Sequence, residues 1–283
     1  MSPCPESAIA AFTCATVVLF QTSEFTQDEL MVSLTVEAIV GLSVAGLLAG
    51  FINTIAGGGS LLTLPALMLA GLPADIANGT NRVGVLCQSA SAMLTFRGGG
   101  QLQGLPLVAI SLPTLVGATL GALAAAFTPN HVLEPVLLAS MVVMAVVLMA
   151  RKTILLPPNE SNAVHPSDRK FAFIGLFAAG FYGGFVQAGL GFFLLAVFGG
   201  MLRLDLVRAN AVKAVTVFCL TILALGVFVS NGLVDWLPGL IIGVAGIVGA
   251  TVGARFAVKT PPTLLRGVVL VAVCSATIVL LLR

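Results

Sequence analysis

Charge is what this sequence lacks most. Aspartate, glutamate, lysine and arginine make up 8% of the 283 residues, against about 25% in soluble domains. No soluble fold can hide the apolar surface that remains. Histidine is almost missing: His131 and His165 fall in predicted turns, and neither belongs to an HExxH pattern. The five cysteines, Cys4, Cys14, Cys87, Cys219 and Cys274, show no CxxC spacing. They lie mostly in apolar stretches, which reads as packing and not as disulfides or metal ligation. No His/carboxylate cluster and no Ser/Lys or Ser/His arrangement supports an enzyme. The reading therefore assigns no catalytic residue, metal or cofactor. A net charge of +2 without a basic run gives no grounds for a nucleic-acid partner.

What is present is apolar residue, 58% of the chain, in segments that recur from end to end between short turns rich in Gly, Pro and Asn. The expected class is an all-α polytopic membrane protein whose main partner is the lipid bilayer. Residues 1–33 stand apart. The stretch from Ala8 to Phe20 is too short to span, lacks a basic flank and is followed by Glu24, Asp28 and Glu29, so it suits neither a signal peptide nor a membrane helix. Met31 is an alternative start.

The remainder reads as two diverged copies of one unit. Ala49-Gly50-Phe51 recurs as Ala179-Gly180-Phe181 (179 − 49 = 130), and Gly117-Ala118-Thr119-Leu120-Gly121-Ala122 recurs as Gly249-Ala250-Thr251-Val252-Gly253-Ala254 (249 − 117 = 132). As the register drifts by two residues, Asp75 falls opposite Asp205 (205 − 75 = 130), Arg82 opposite Lys213 (213 − 82 = 131) and Pro129 opposite Pro261 (261 − 129 = 132). Residues 34–152 form the first repeat, 153–170 a linker and 171–283 the second repeat. Each copy is expected to hold five segments: 36–56, 60–72, 78–96, 104–127 and 132–150, then 171–187, 190–202, 209–229, 234–256 and 264–282.

Basic residues choose the topology. With five crossings per repeat and the N-terminus outside, Arg97, Arg151, Lys152, Arg169, Lys170, Arg203, Arg208, Arg255, Lys259 and Arg266 face the cytoplasm, and only Arg283 lies outside. Four crossings per repeat would move half of these outward. The positive-inside rule favours five, and an odd number inverts the second copy relative to the first. Both termini are then outside and the linker is cytoplasmic.

Segments 60–72 and 190–202 are too short to cross: thirteen residues of helix reach about 20 Å of a ~30 Å core. Each follows a glycine-rich break, Gly57-Gly58-Gly59 in the first copy and Gly183-Gly184 through Gly189 and Gly191 in the second. Paired interrupted segments point to a transporter's binding site. Ser60 is placed to cap its helix, turning backbone N–H groups toward an anion. Close packing of helices is the competing reading of these glycines.

Arg82 and Lys213 lie within segments, where a charge is costly and functional by default. With Thr80, Asn81 and Asn210 they offer the donors a small oxyanion needs. Asn53 and Gln187 are further polar candidates beside the breaks. Two structural ion pairs, Asp75 with Arg82 and Asp205 with Lys213, are the alternative, as is snorkelling of the cations. Asp75 and Asp205 are also candidates for a gate or coupling relay.

At these residues the chain resembles the TauE/SafE family of sulfite exporters. The resemblance lies in Gly50-Phe51-Ile52-Asn53-Thr54-Ile55-Ala56-Gly57-Gly58-Gly59-Ser60, Pro65-Ala66-Leu67 and Gly79-Thr80-Asn81-Arg82, with a weaker echo in Arg208-Ala209-Asn210-Ala211-Val212-Lys213. It implies transport of sulfite, sulfoacetate or a related organosulfonate across a bacterial cytoplasmic membrane, with export favoured. An importer of thiosulfate or another small anion keeps the same architecture. An intramembrane enzyme or assembly subunit is the rival from another class. A homo-oligomer stays open.

Overall fold

The computed structural model describes residues 35–55, 57–150 and 170–259, the side chains of 145–150 and 170 excepted. The N-terminal stretch, the linker and the expected segment 264–282 lie outside the described residues. From Val36 onward the described residues belong to one compact unit, and all their regular structure is helical. The first repeat contributes α1 (Val36–Ile55), α2 (Ser60–Leu69), α3 (Ala74–Gly98), α4 (Leu107–Ala126) and α5 (Asn130–Ala150). The second contributes α6 (Lys170–Phe185), α7 (Leu190–Gly200), α8 (Leu206–Ser230) and α9 (Trp236–Lys259). Nine of the ten expected segments are therefore present as helices. The chain is a polytopic membrane protein: α1, α4, α8 and α9 are each long and apolar enough to cross a bilayer.

The helices associate through small residues, as lipid-embedded helices do when no hydrophobic force separates neighbour from solvent. On α9, Leu240, Val244, Val248 and Val252 form an exposed stripe at four-residue spacing, and Gly239, Gly243, Gly246, Gly249 and Gly253 are buried on the opposite side. Gly239, Gly243 and Gly246 face α3 while Gly249 and Gly253 face α1, whose Gly46 and Gly50 in turn lie against Ile242 and Gly246; α4 meets α6 in the same manner as α1 meets α9. A methyl group at Gly249 would strike the Leu47 carbonyl and lie 2.9 Å from Phe51 N, while one at Gly117 would strike the Phe177 carbonyl and lie 2.8 Å from Phe181 N. Those partners are twins at offset 130 (177 − 47; 181 − 51). The first helix of each repeat thus packs on the fourth helix of the other, and neither repeat closes a core alone.

Hydrogen bonds trace where the repeat offset changes. Gly57 N donates to Ile52 O at 3.1 Å and Gln187 N to Tyr182 O at 3.3 Å; Leu72 N donates to Leu67 O at 3.2 Å and Leu202 N to Val197 O at 3.1 Å. Both pairs sit at offset 130. Ala77 N bonds Pro73 O at 2.7 Å and Ala209 N bonds Asp205 O at 2.8 Å, an offset of 132. The two extra residues enter between Leu202 and Asp205, where Arg203 takes a positive φ of 54°. Within α3 and α8 the backbone twin of Lys213 is therefore Asn81, and that of Asp205 is Pro73. The sequence register, which set Arg82 against Lys213 and Asp75 against Asp205, is off by one and two residues there.

Two further boundaries shift. Helices α3 and α8 start four and three residues before the expected segments, because Pro73 and Asp205 hold the cap positions and the first turn, which carries the charged Asp75 or Arg208, already belongs to the helix. Gly183 and Gly184 lie inside α6, not in the second break, which is confined to residues 186–189.

Candidate functional site

The breaks are the points where the two repeats meet. Gly57 carries φ 97° and its twin Gln187 carries φ 65°, so both chains reverse direction in the left-handed region after the first helix. Such a conformation costs glycine nothing and glutamine a kcal/mol or so. The tips touch through backbone: Gly191 N donates to Gly57 O at 3.2 Å, and a methyl on either glycine would overlap the other residue's Cα. Gly58 lies under the Phe192 ring, and Gly59 packs on Ala49 and Asn53. Close packing is thus what the Gly57-Gly58-Gly59 run does in this conformation. Ser60 is the first residue of α2; Gly59 occupies the cap position, with no side-chain capping bond. The Ser60 hydroxyl accepts instead from Asn81 Nδ2 at 3.1 Å, which corrects the expected cap.

Below each tip, the last turn of the broken helix presents carbonyls that have no intrahelical partner. In the first repeat these are Asn53, Thr54 and Ile55. Lys213 Nζ donates to Asn53 O at 2.7 Å and Thr54 O at 3.2 Å, and Asn210 Nδ2 donates to Ile55 O at 3.1 Å. In the second repeat the twin carbonyls are Gly183, Gly184 and Phe185. Arg82 donates through Nη1 to Gly183 O at 2.9 Å and through Nη2 to Gly184 O at 2.5 Å, and Asn78 Nδ2 donates to Phe185 O at 2.8 Å. Each cation therefore holds the broken helix of the opposite repeat at its negative end. Arg82 and Lys213 do equivalent work one register step apart, because the guanidinium and the ammonium reach the same pair of carbonyls from adjacent backbone positions.

The cations are buried, Arg82 at 0% and Lys213 at 3% exposure, and among the described residues neither bonds a carboxylate. Asp205 caps α8, accepting from Val207 N and Arg208 N at 3.0 Å each. Asp75 sits in the first turn of α3, accepting from Ile76 N at 2.8 Å, and its own N–H donates to Asn130 Oδ1 at 3.0 Å. The alternative of two ion pairs, Asp75 with Arg82 and Asp205 with Lys213, is not what forms, and neither aspartate is brought to the cations.

The neutral candidates divide. Asn81 is occupied at both ends, donating to Ser60 and accepting from Thr63 Oγ1 at 2.5 Å. Thr80 Oγ1 accepts from Asp235 N at 2.8 Å and so anchors the loop before α9. Asn53 Nδ2 donates to Gln88 Oε1 at 3.2 Å. Gln187 Nε2 donates to Thr221 Oγ1 at 3.0 Å. Unsatisfied buried atoms remain at Arg82 Nε, Asn78 Oδ1, Gln187 Oε1, Gln88 Nε2 and Thr216 Oγ1. The Phe228 ring lies 4.7 Å from the Arg82 guanidinium carbon. Sequence reasoning missed Asn78, Gln88, Thr216 and Phe228. For Asn78 a signal existed: Ala77-Asn78 recurs as Ala209-Asn210 at offset 132. For the others none did, since their role depends on which helices cross.

Lysine has three donors and arginine five. Lys213 uses all three, the last on Asn210 Oδ1 at 2.6 Å. Arg82 uses two, and its Nε has no partner. Of the two cations, Arg82 is the one with a donor nitrogen left unpaired.

Comparison with known proteins agrees with this architecture. The family model described as sulfite exporter TauE/SafE matches residues 42–280. A relative from Sinorhizobium sp., named "Probable membrane transporter protein ORF9", is 30% identical over 89% of this chain and 95% of its own length. The Escherichia coli K12 "Probable membrane transporter protein YfcA" is 31% identical over 81% of this chain and 85% of its own. A "Probable membrane transporter protein" from Haemophilus influenzae is 26% identical, covering 83% and 91%.

Proposed function

Because the chain belongs to the sulfite exporter TauE/SafE family of membrane transporters, we propose that it carries a small sulfur oxyanion or organosulfonate, of the sulfite or sulfoacetate type, outward across a bacterial cytoplasmic membrane. The observation that carries the reading is Arg82: a fully buried guanidinium with no carboxylate bonded to it among the described residues and with donors to spare. A buried charge of this kind must be compensated by something. An oxyanion accepting from Nε, close to the point where the two repeats touch, supplies that charge. Lys213 adds to the field without a direct bond. An interior-negative potential, worth about 2.3 kcal/mol per charge per 100 mV, drives an anion outward without a pump.

Alternating access then comes from one repeat, 34–152, rocking against the other, 171–283. Two contacts support an inverted arrangement, and the basic residues favour the linker inside. Arg208 donates to Gln103 O at 2.8 Å, and Asp235 N bonds Thr80. An odd number of crossings per repeat puts each of these pairs on one membrane face, whereas an even number parts them. The test is binding and flux: purified protein titrated with sulfite, sulfoacetate, thiosulfate and sulfate, then vesicles with imposed potentials of either sign. Sulfite binding that survives Arg82→Gln at full affinity sinks the site, and inward flux under every gradient reverses the assigned direction.

A further inference from the structure

The environment of Lys213 is unusual for a residue that serves an anion. Its ammonium faces three neutral oxygens, Asn53 O at 2.7 Å, Asn210 Oδ1 at 2.6 Å and Thr54 O at 3.2 Å. Two of the three belong to the last turn of α1, where the helix's negative end lies. Oxygen ligands alone, all uncharged, gathered around one buried positive charge are the donor set that hard cations and ammonium take. No N–H of the ammonium is left over. The equivalent position in the other repeat differs in kind: the Arg82 guanidinium bridges two carbonyls and keeps Nε unbonded.

We propose that the C-terminal turn of α1 together with Asn210 is a monovalent-cation site whose occupant, the Lys213 ammonium, is built into the chain. A free sodium, potassium or ammonium ion would otherwise hold that place and tie α1 of the first repeat to α8 of the second. Because the cation is tethered, this junction is occupied at every ion concentration, and the protein needs no dissolved cation there. Lys213 is then a positioning residue: it fixes the tip of α1, and Arg82 receives the anion. The inference rests on the anion-transport reading only where sulfite is the readout.

The experiment vacates the site. In Lys213→Ala the four-carbon stem and its charge are gone, leaving Asn53, Thr54 and Asn210 oxygens around the space. Its thermal midpoint is expected to fall and then to recover saturably with ammonium chloride or sodium chloride, while choline chloride at equal ionic strength has no effect. At a hundredfold excess over the dissociation constant the recovery is about 5 °C. The wild-type midpoint should respond equally to all three salts. Sulfite binding should return to Lys213→Ala with ammonium or sodium but not to Arg82→Gln. Lys213→Ala that behaves identically in ammonium, sodium and choline overturns the proposal. The midpoint arm reads the cation site whatever the transported anion is, so its failure is distinct from failure of the sulfite reading. Where Lys213→Ala does not fold, Lys213→Met, which keeps the apolar stem, takes its place in the same midpoint assay, and a midpoint that is identical in ammonium, sodium and choline overturns the proposal.

Discussion

Replacement of Arg82 tests the central junction most directly, because its contacts allow a stability change to be worked out separately from function. The guanidinium makes charge-assisted hydrogen bonds to Gly183 O at 2.9 Å and Gly184 O at 2.5 Å, each worth about 1.5–3 kcal/mol. It also lies over Phe228, which adds roughly 1 kcal/mol. In Arg82→Ala both carbonyls at the end of α6 lose their partner in a water-poor interior, and a cavity opens. The cost of a buried unpaired charge disappears with the residue and offsets part of that loss. The net expectation is a destabilisation of about 4 kcal/mol, and Arg82→Lys, which can reach one carbonyl, should cost about 2 kcal/mol. For a chain of this size 4 kcal/mol lowers the melting midpoint by about 7 °C. The partly buried Cys87 and Cys219 provide the assay, since a maleimide dye reports their exposure as detergent-solubilised protein unfolds. An Arg82→Ala protein melting within about 2 °C of wild type would refute the argument that this side chain fastens α6, whatever happens to anion binding.

The remaining predictions concern the frame. Gly50→Ala and Gly180→Ala each drive a methyl into a backbone carbonyl of the opposite repeat, that of Gly246 or Thr114, and should cost about 1–3 kcal/mol apiece by the same melting assay; a large effect at one and none at the other would refute the crossed pairing of α1 with α9 and α4 with α6. Gly57→Ala should be worse than either, because it adds a left-handed strain at φ 97° to a backbone clash; transport at the wild-type rate would show that the tips part during the cycle. Asp205→Ala removes two cap bonds and should cost about 1 kcal/mol, whereas Asp75→Ala should cost less; the opposite order in melting midpoints would contradict the register described for α3 and α8. In a cysteine-free background, Gln101→Cys should react with impermeant maleimide only from the cytoplasmic side and Asn231→Cys only from outside; labelling from one common side would overturn the inverted topology.

Helix positions were legible in the sequence because lipid imposes long apolar segments, and nine of ten expected segments coincide with helices to within a few residues. Where α3 and α8 start earlier than expected, a charge in the first turn is responsible: α3 begins at Ala74 and α8 at Leu206, and Asp75 and Arg208 keep those turns out of the apolar run. The duplication was legible because glycines at helix crossings cannot be exchanged for anything larger. Its exact register was not, because the two residues inserted in the turn between α7 and α8, Arg203 and Leu204, repeat no motif of the first copy. Arg82 and Lys213 stood out as charges in apolar surroundings, yet their immediate partners are backbone carbonyls of the other repeat, and a carbonyl carries no signature in the one-letter code. The same holds for Thr80 and Asn81: residue type announced a donor, and only the fold shows that each is already engaged.

The meeting of Gly57 with Gly191 also has a bearing on where the protein rests. The twin of Gly57 is Gln187 and the twin of Gly191 is Leu61, at offset 130 (191 − 61), so the pair lies off the axis that relates the halves. Its symmetry mate would join a glutamine to a leucine, a different contact altogether. In a carrier whose halves exchange roles as proposed above, an exact two-fold would make the inward-open and outward-open forms identical by rotation and equal in free energy. A junction whose twin has different chemistry removes that degeneracy, so under the proposed rocking the empty carrier would have a preferred side even without a gradient, a potential or a ligand.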